Sequence, residues 1–70
     1  MERAAVYSKD IAIIGYDNSS RILEIAFRSG GVYQYSKVPS NIYQELLAAE
    51  SHGLYFNEKI KDKYPCIKIN

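Results

Sequence analysis

The fold is decided by residues 11–35, which read IAIIGYDNSSRILEIAFRSGGVYQY. The run from Ile11 to Tyr16 is apolar and rich in β-branched residues, which is typical of a strand. Asp17-Asn18-Ser19-Ser20 follows, and these side chains favour a turn because they hydrogen-bond to nearby backbone groups. A second apolar run, Arg21 to Arg28, comes directly after the turn. This order predicts a β-hairpin whose second strand is the centre of the sheet.

The turn also predicts which strand residues share a face of the sheet. With a hairpin loop of four residues, the even-numbered residues of one strand share a face with the odd-numbered residues of the next strand; we call this opposite sequence parity. The face predicted to enter the core therefore carries Ala12, Ile14 and Tyr16 beside Leu23, Ile25 and Phe27. The other face keeps more apolar surface than the solvated sheet of a monomer usually shows, namely Ile11, Ile13, Ile22 and Ala26. We therefore expect a homodimer; the alternative is that these aliphatic residues are exposed singly and without consequence.

A second turn signal, Ser29-Gly30-Gly31, separates the central strand from a third strand, Val32 to Val38. Two interpretations of this turn are open. A loop of three residues preserves sequence parity and directs Tyr33 and Tyr35 into the core. A loop of two or four residues places both tyrosines on the outer face of the sheet. The length of this loop therefore decides the role of the two rings.

After Pro39 the period of the hydrophobic pattern changes from 2 to 3.6, which indicates a helix. Ser40 is predicted as the N-cap of this helix, which ends near Glu50. Its apolar stripe consists of Ile42, Tyr43, Leu46, Leu47 and Ala49.

A second short helix is predicted from the spacing of Phe56, Ile60 and Tyr64, and Pro65 ends it. The tail from Cys66 to Ile69 is compatible with a short edge strand. We therefore predict an α+β domain, in which a three-stranded antiparallel β-meander is followed by two short helices packed on one face.

Length and composition indicate one small domain, residues 1–70, with its core between residues 8 and 64. Nine Lys and Arg against eight Asp and Glu give a formal net charge of +1, so no strong overall field attracts nucleic acid or an anionic membrane. The longest apolar run, Ile11 to Gly15, is far shorter than the roughly 20 residues of a membrane-spanning helix. Met1-Glu2-Arg3 lacks the apolar segment of a signal peptide, so we expect a cytoplasmic protein without a membrane partner.

The chain has one cysteine, Cys66, and one histidine, His52. This excludes an intramolecular disulfide and leaves too few soft ligands for a zinc site, so we predict no metal and no cofactor. Nucleophilic catalysis also needs an orienting group and an oxyanion site, and no sequence signal brings these residues together. We therefore predict that the protein is not an enzyme and has no catalytic residues.

The order of these signals resembles the KTSC domain. The resemblance covers Ser8 to Tyr64 and rests on Gly15-Tyr16-Asp17, Tyr33-Gln34-Tyr35, Val38-Pro39, Ser51-His52-Gly53 and Phe56-Asn57. KTSC domains are found at the C-terminus of some lysyl-tRNA synthetases and as small stand-alone proteins of bacteria and their viruses. The resemblance implies a domain of unknown function, with RNA binding suggested by the synthetase context.

Two groups of residues are candidates for binding a phosphate-bearing ligand. Tyr33 and Tyr35 share one face of a strand and would stack bases; the alternative is that they pack in the core. Basic residues near the C-terminus would attract phosphates, with Lys37 extending the stripe; the alternative is a solvated helix surface. The basic residues in question are Lys59, Lys61, Lys63 and Lys68.

The turn Ser51-His52-Gly53 is the third candidate, because the free backbone N–H groups at a helix N-terminus hold anions. The alternative is that Ser51 only caps the helix. On the same helix, Tyr55 is a further stacking candidate, and Asn57 either reads a base edge or satisfies a loop carbonyl.

The resulting hypothesis is a non-catalytic binding module for RNA or a nucleotide. One alternative is a protein-interaction or self-assembly module that uses the outer sheet face. Another is a viral protein that sequesters a nucleotide signal, with the ligand held at a junction between subunits.

Overall fold

A computed structural model describes residues 1–70 and contains one five-stranded antiparallel sheet and two helices. The sheet has the order β1-β2-β3-β4-β5, so every strand pairs with its neighbour in the chain. The predicted α+β class, the central meander and the C-terminal edge strand are confirmed. The elements are β1 (Glu2–Ala5), β2 (Ile11–Asp17), β3 (Ile22–Phe27), β4 (Val32–Tyr35), α1 (Ser40–Ala48), α2 (His52–Lys59) and β5 (Cys66–Lys68).

Strand β1 was not predicted. Its sequence, ERAA, has no β-branched or aromatic residue and so carries little strand propensity. It pairs antiparallel with β2, from Glu2 opposite Tyr16 to Ala5 opposite Ile13. Without β1, the free edge of β2 would present unpaired backbone groups to solvent.

The predicted position of Ile11 on the outer face is wrong, because a β-bulge changes the register of β2. Ile11 pairs with Phe27, whereas Ile13 pairs with Ala26, so Ala12 is the extra residue of the bulge. Ile11 is therefore fully buried in the core, and Ala12 is half-buried rather than a core residue. Beyond the bulge the predicted parity holds, and Ile14 pairs with Ile25.

The turn between β3 and β4 is a three-residue loop, as one interpretation required, but it begins one residue earlier, at Arg28. Gly30 has φ +116°, a conformation that favours glycine, and the Gly30 N–H donates to the Phe27 carbonyl. Sequence parity is preserved, so Tyr33 lies opposite Ile25 on the side of the sheet that the helices cover. Tyr35 on the same face is 5% exposed and belongs to the core.

Two details of the helices differ from the prediction. Ser40 is the first helical residue of α1 and does not cap it; Pro39 occupies the cap position, without a side-chain hydrogen bond. Helix α2 ends at Lys59 instead of continuing to Tyr64, and the chain then turns through residues 60–63, where Asp62 has φ +62°. Ile60 still reaches the core, because it is the first residue beyond the helix and is fully buried.

The core lies between the sheet and the two helices. Leu46 from α1 and Phe56 from α2 pack against residues of the helix-covered sheet face. No helix covers the opposite face of the sheet. The buried apolar residues are Ile11, Ile14, Tyr16, Leu23, Ile25, Tyr35, Val38, Leu46, Phe56 and Ile60.

Candidate functional site

A cleft of about 450 Å³ opens between the sheet and α2, which we call the aromatic cleft. Its volume falls in the range of ~300–1,000 Å³ that is typical of small-ligand sites. Strands β3 and β4 form its floor, and α2 with the turn after it forms one wall. Its lining consists of Asp10, Ile11, Phe27, Ser29, Tyr33, Tyr35, Gly53, Phe56, Asn57 and Lys61.

Aromatic rings in edge-to-face contact form the inner part of the cleft. Phe27 lies 5.7 Å from Tyr33 and 5.4 Å from Phe56, measured between ring centroids. Tyr35 lies 5.5 Å from Phe56 in the same geometry. Edge-to-face contact is a favoured arrangement of aromatic rings, so these pairs help to orient the rings of the floor. Phe27 and Tyr33 are half-buried and present part of their rings to the cleft.

Tyr35 is the least accessible polar group of the floor. Burial and the neighbouring Cys66 side chain, which lies opposite it on β5, raise the pKa of the Tyr35 phenol well above its ordinary value. The phenol is therefore neutral at physiological pH, when it can donate as well as accept a hydrogen bond.

The rim of the cleft is polar and exposed. Gly53 and Asn57 are one helical turn apart on α2, and Lys61 follows in the turn after the helix. A Cβ atom at Gly53 would lie 3.1 Å from Oδ2 of Asp10, so the carboxylate packs against the first turn of α2. A negative charge is favourable at that end of a helix. The cleft therefore has an acidic end at Asp10 and a basic end at Lys61.

Four of the predicted site residues line this cleft, namely Tyr33, Tyr35, Asn57 and Lys61. The structure does not bring Lys37, Lys59 or Lys63 to it. Lys37 lies in the loop after β4 with φ +63°, and the other two are exposed on the last turn of α2 and beyond. Lys68 is the residue opposite Tyr33 on β5, at the edge of the helix-covered face.

The remaining predicted residues make contacts that hold the two helices. Ser51 accepts a hydrogen bond from the Leu54 N–H at 3.2 Å and is the N-cap of α2. His52 donates through Nδ1 to the Leu46 carbonyl at 2.8 Å, and the same carbonyl accepts from the Ala49 N–H at 3.3 Å, so His52 adds a second bond to the last turn of α1. The arrangement gives both residues a structural task in the interhelical turn.

Tyr55 faces the other helix rather than the cleft. Its hydroxyl donates to Glu45 Oε1 at 2.7 Å. Burial, together with this hydrogen bond, raises the pKa of Tyr55 to about 12. The contact ties α2 to α1.

Sequence reasoning missed Asp10 and Ser29, which stand in loops and meet at the rim because the pairing of β2 with β3 continues past Ile11, where the Arg28 N–H donates to the Asp10 carbonyl at 2.8 Å. It also missed Tyr7, whose side chain is fully exposed beside Lys9 and Arg28 on the loop next to the cleft. Arg28 fixes this loop by donating to the carbonyls of Ser8 and Val6, at 2.6 and 3.0 Å. The sequence does not show that Tyr7 lies near Arg28, because the two residues are far apart in the chain, and so this exposed aromatic residue among basic ones could not be predicted.

The structure has no group of three or more His, Cys, Asp or Glu side chains placed to hold a metal ion. Every buried side-chain nitrogen and oxygen atom has a hydrogen-bond partner. Neither helix has the length and apolar character needed to span a membrane.

Residues 7–64 match the family model of the KTSC domain. The chain belongs to the KTSC domain family. It is 45% identical to the KTSC domain protein YPO2434 from Yersinia pestis, whose crystal structure superposes with a TM-score of 0.95 over 99% of this chain and 97% of that one. The resemblance seen in the sequence is therefore confirmed, and β1 and β5 lie outside the matched segment.

The relatives of this KTSC domain are of two kinds. An uncharacterized protein of Stutzerimonas stutzeri is 41% identical over 64 residues, which are 91% of this chain and 90% of that protein. A lysine–tRNA ligase of Nostoc punctiforme is 43% identical over 49 residues, which are 70% of this chain but 9% of the ligase. The domain is thus similar both to a small protein of its own length and to a short part of a large enzyme.

Proposed function

We propose that this KTSC domain is a non-catalytic binding module that takes a nucleotide, free or within an RNA strand, in the aromatic cleft. The observation that carries the proposal is the composition of the cleft, a floor of aromatic rings with separated acidic and basic groups on its rim. A nucleobase has a flat π-face and polar edges, which match such a floor and rim. The similarity to lysine–tRNA ligases, whose name states a tRNA substrate, supports the same ligand class.

The charges on the rim favour one orientation of the ligand. Phosphate is repelled by the Asp10 carboxylate and attracted by the Lys61 ammonium group, so the phosphate belongs at the Lys61 end. The base edge then points to Asp10, which accepts hydrogen bonds from exocyclic amino groups. Asn57 lies between the two ends and can both donate and accept. The sequence analysis offered the N-terminal turn of α2 as a phosphate site. We now propose the Lys61 end instead, because the Asp10 carboxylate lies against that turn.

An amide chemical-shift titration with each of four nucleoside monophosphates and with a short mixed-sequence RNA tests the proposal. We expect shifts around Phe27 to Tyr35 and Gly53 to Lys61, and we expect them to weaken as salt rises. A response to RNA alone assigns the site to a nucleotide within a strand, and a response to the monophosphates assigns it to the free nucleotide. No shifts in the cleft with any of these probes would overturn the proposal.

Two variants that each remove one positive charge distinguish binding in the cleft from nonspecific electrostatic attraction. Lys61→Ala removes the basic group of the rim, whereas Lys63→Ala removes another exposed lysine, which lies outside the cleft. We expect Lys61→Ala to weaken binding and Lys63→Ala to leave it nearly unchanged. Equal weakening by both would indicate unspecific attraction by the lysine-rich segment.

Asp10→Asn tests the proposed orientation. If Asp10 accepts from an amino group of the base, the variant changes which nucleotide binds best. Stronger binding of all four nucleotides would instead place the phosphate at Asp10 and contradict the orientation.

A further inference from the structure

The face of the sheet opposite the helices, which we call the helix-free face, carries alternate residues from all five strands. Cross-strand register places Arg3, Gly15, Glu24, Gln34 and Ile67 in one row across it. The neighbouring row contains Ala5, Ile13, Ala26 and Val32. The first row is mostly polar, but the second row is entirely apolar, which is unusual for a sheet face exposed to water.

The centre of the helix-free face is polar, but its polar groups satisfy one another. Glu24 accepts from Arg3 Nε at 3.0 Å and from Gln34 Nε2 at 3.1 Å, one bond to each carboxylate oxygen. Glu24 is 8% exposed although no helix covers it. The centre is therefore neutral as a unit, and covering it would leave neither carboxylate oxygen without a partner.

At the centre of the helix-free face, two side chains lie over Gly15. Gly15 has no side chain, and a Cβ atom there would lie 3.0 Å from Cγ of Arg3 and 3.1 Å from Sδ of Met1. Arg3 and Met1 thus lie across the backbone of β2 instead of projecting from it. Side chains that lie along a sheet in this way allow a second sheet to approach to the ~10 Å separation of packed sheets.

Large apolar side chains surround this centre and are exposed. Ile13 is 39% exposed, Ile67 61%, Ile69 46% and Met1 45%. Four of the six large apolar residues that the chain exposes are therefore on this face or at its edge. Contiguous exposed apolar surface of this kind marks an interaction site.

We propose that a second copy of this chain covers the helix-free face, sheet against sheet. A two-fold dimer requires a surface that complements itself, and a neutral centre with apolar surroundings meets that requirement. The face has no excess of either charge that would select an acidic or basic partner. Five strands about 4.8 Å apart and about five residues long cover about 400 Å² on each copy, so the interface totals about 800 Å², the size of a weak, concentration-dependent dimer.

Sedimentation velocity over a range of protein concentrations tests this proposal. We expect the sedimentation coefficient to rise from the monomer value to the dimer value as concentration increases. The variants Ile13→Lys and Ile67→Lys each place a charge in the proposed interface, and we expect both to remain monomeric at every concentration. Leu54→Lys is the matched control, because Leu54 is 58% exposed on α2, away from this face, and it should dimerise like the wild type.

Three results would overturn the proposal. If the wild type is still monomeric at the highest concentration, a second copy does not cover this face, and a different protein becomes the candidate partner. A dimer that survives both Ile13→Lys and Ile67→Lys, or one that Leu54→Lys disrupts, would place the interface elsewhere. Circular dichroism of each variant checks that it folds, and Ile67 lies on an exposed edge strand where a lysine is compatible with the sheet. The aromatic cleft is on the other side of the sheet, so this test is independent of ligand binding.

Discussion

Glu24 is the one charged residue that the fold buries, and its surroundings favour the ionised form. The hydrogen bond from Arg3 and a second one from Gln34 lower the pKa of its carboxyl, and partial desolvation opposes them only in part. A carboxyl whose pKa is lower in the folded chain stabilises the fold at every pH above its unfolded pKa, about 4.3. That contribution is lost as the pH falls through the lower pKa of the folded state.

We therefore expect the free energy of unfolding to decrease on acidification below about pH 4.3, and Glu24→Gln to reduce this dependence. Urea unfolding at a series of pH values measures it. Glu58→Gln is the control, because it removes the same charge from an exposed site on α2. Identical pH profiles for Glu24→Gln and the wild type would contradict the role of this carboxyl.

Because Tyr35 is buried, its substitution is expected to test the stability of the fold rather than ligand binding. It is 5% exposed, so Tyr35→Ala is expected to cost about 3–5 kcal/mol of stability, comparable to the whole stability of so small a domain. Thermal unfolding monitored by circular dichroism measures this loss. Asn57→Ala, at an exposed position on the cleft rim, should leave the melting temperature within a few degrees of the wild type. If Tyr35→Ala were as stable as the wild type, Tyr35 would not be a core residue.

At the scale of secondary structure, the bulge in β2 determines which isoleucines stabilise the sheet. Ile11 and Ile13 are two residues apart and would share a face in a regular strand, yet only Ile11 is buried. We expect Ile11→Ala to cost about 2–5 kcal/mol and Ile13→Ala less than about 1 kcal/mol. Chemical unfolding of both variants at low protein concentration measures the difference. Equal losses would indicate a strand without the bulge.

The interhelical turn joins α1 to α2 through two side chains. Ser51 caps the N-terminus of α2, so Ser51→Ala is expected to reduce stability by about 1 kcal/mol without changing nucleotide affinity. Denaturant unfolding and a nucleotide titration of the same variant measure both quantities. A loss of affinity without a loss of stability would show that Ser51 contacts the ligand instead.

On the scale of the whole molecule, the sheet separates the two proposed surfaces. The aromatic cleft lies on the helix side, and the helix-free face lies on the other. We expect Lys61→Ala to leave the sedimentation behaviour unchanged and Ile13→Lys to leave nucleotide affinity unchanged. Measuring both properties for both variants completes the comparison, and a variant that alters both would show that the surfaces are coupled through the sheet.

The sequence predicts those features that depend only on residues close together in the chain, such as turns and helix caps. Asp17 to Ser20 and Gly30 define the two hairpins through turn chemistry, and Ser51 caps α2 through its own neighbours. The α+β class and the strand order of the meander follow from such signals, whereas membership in the KTSC family rests on the resemblance of its motifs and on the family-model match. Part of the cleft was predicted for the same reason, because the parity of β4 directs Tyr33 and Tyr35 to one face.

Tertiary structure decided what depends on contacts between distant segments. The strand β1 has no propensity of its own and forms because β2 offers it an edge. The bulge at Ala12 satisfies the packing of Ile11 against Phe27, which no pattern within β2 records. Asp10 meets Gly53 because a loop and a helix N-terminus are brought together by the fold. The sequence by itself therefore determined the central meander and the two helices. The tertiary structure decided β1, the position of Ile11, the rim of the cleft and the neutral centre of the helix-free face, since segments far apart in the chain create these only by packing.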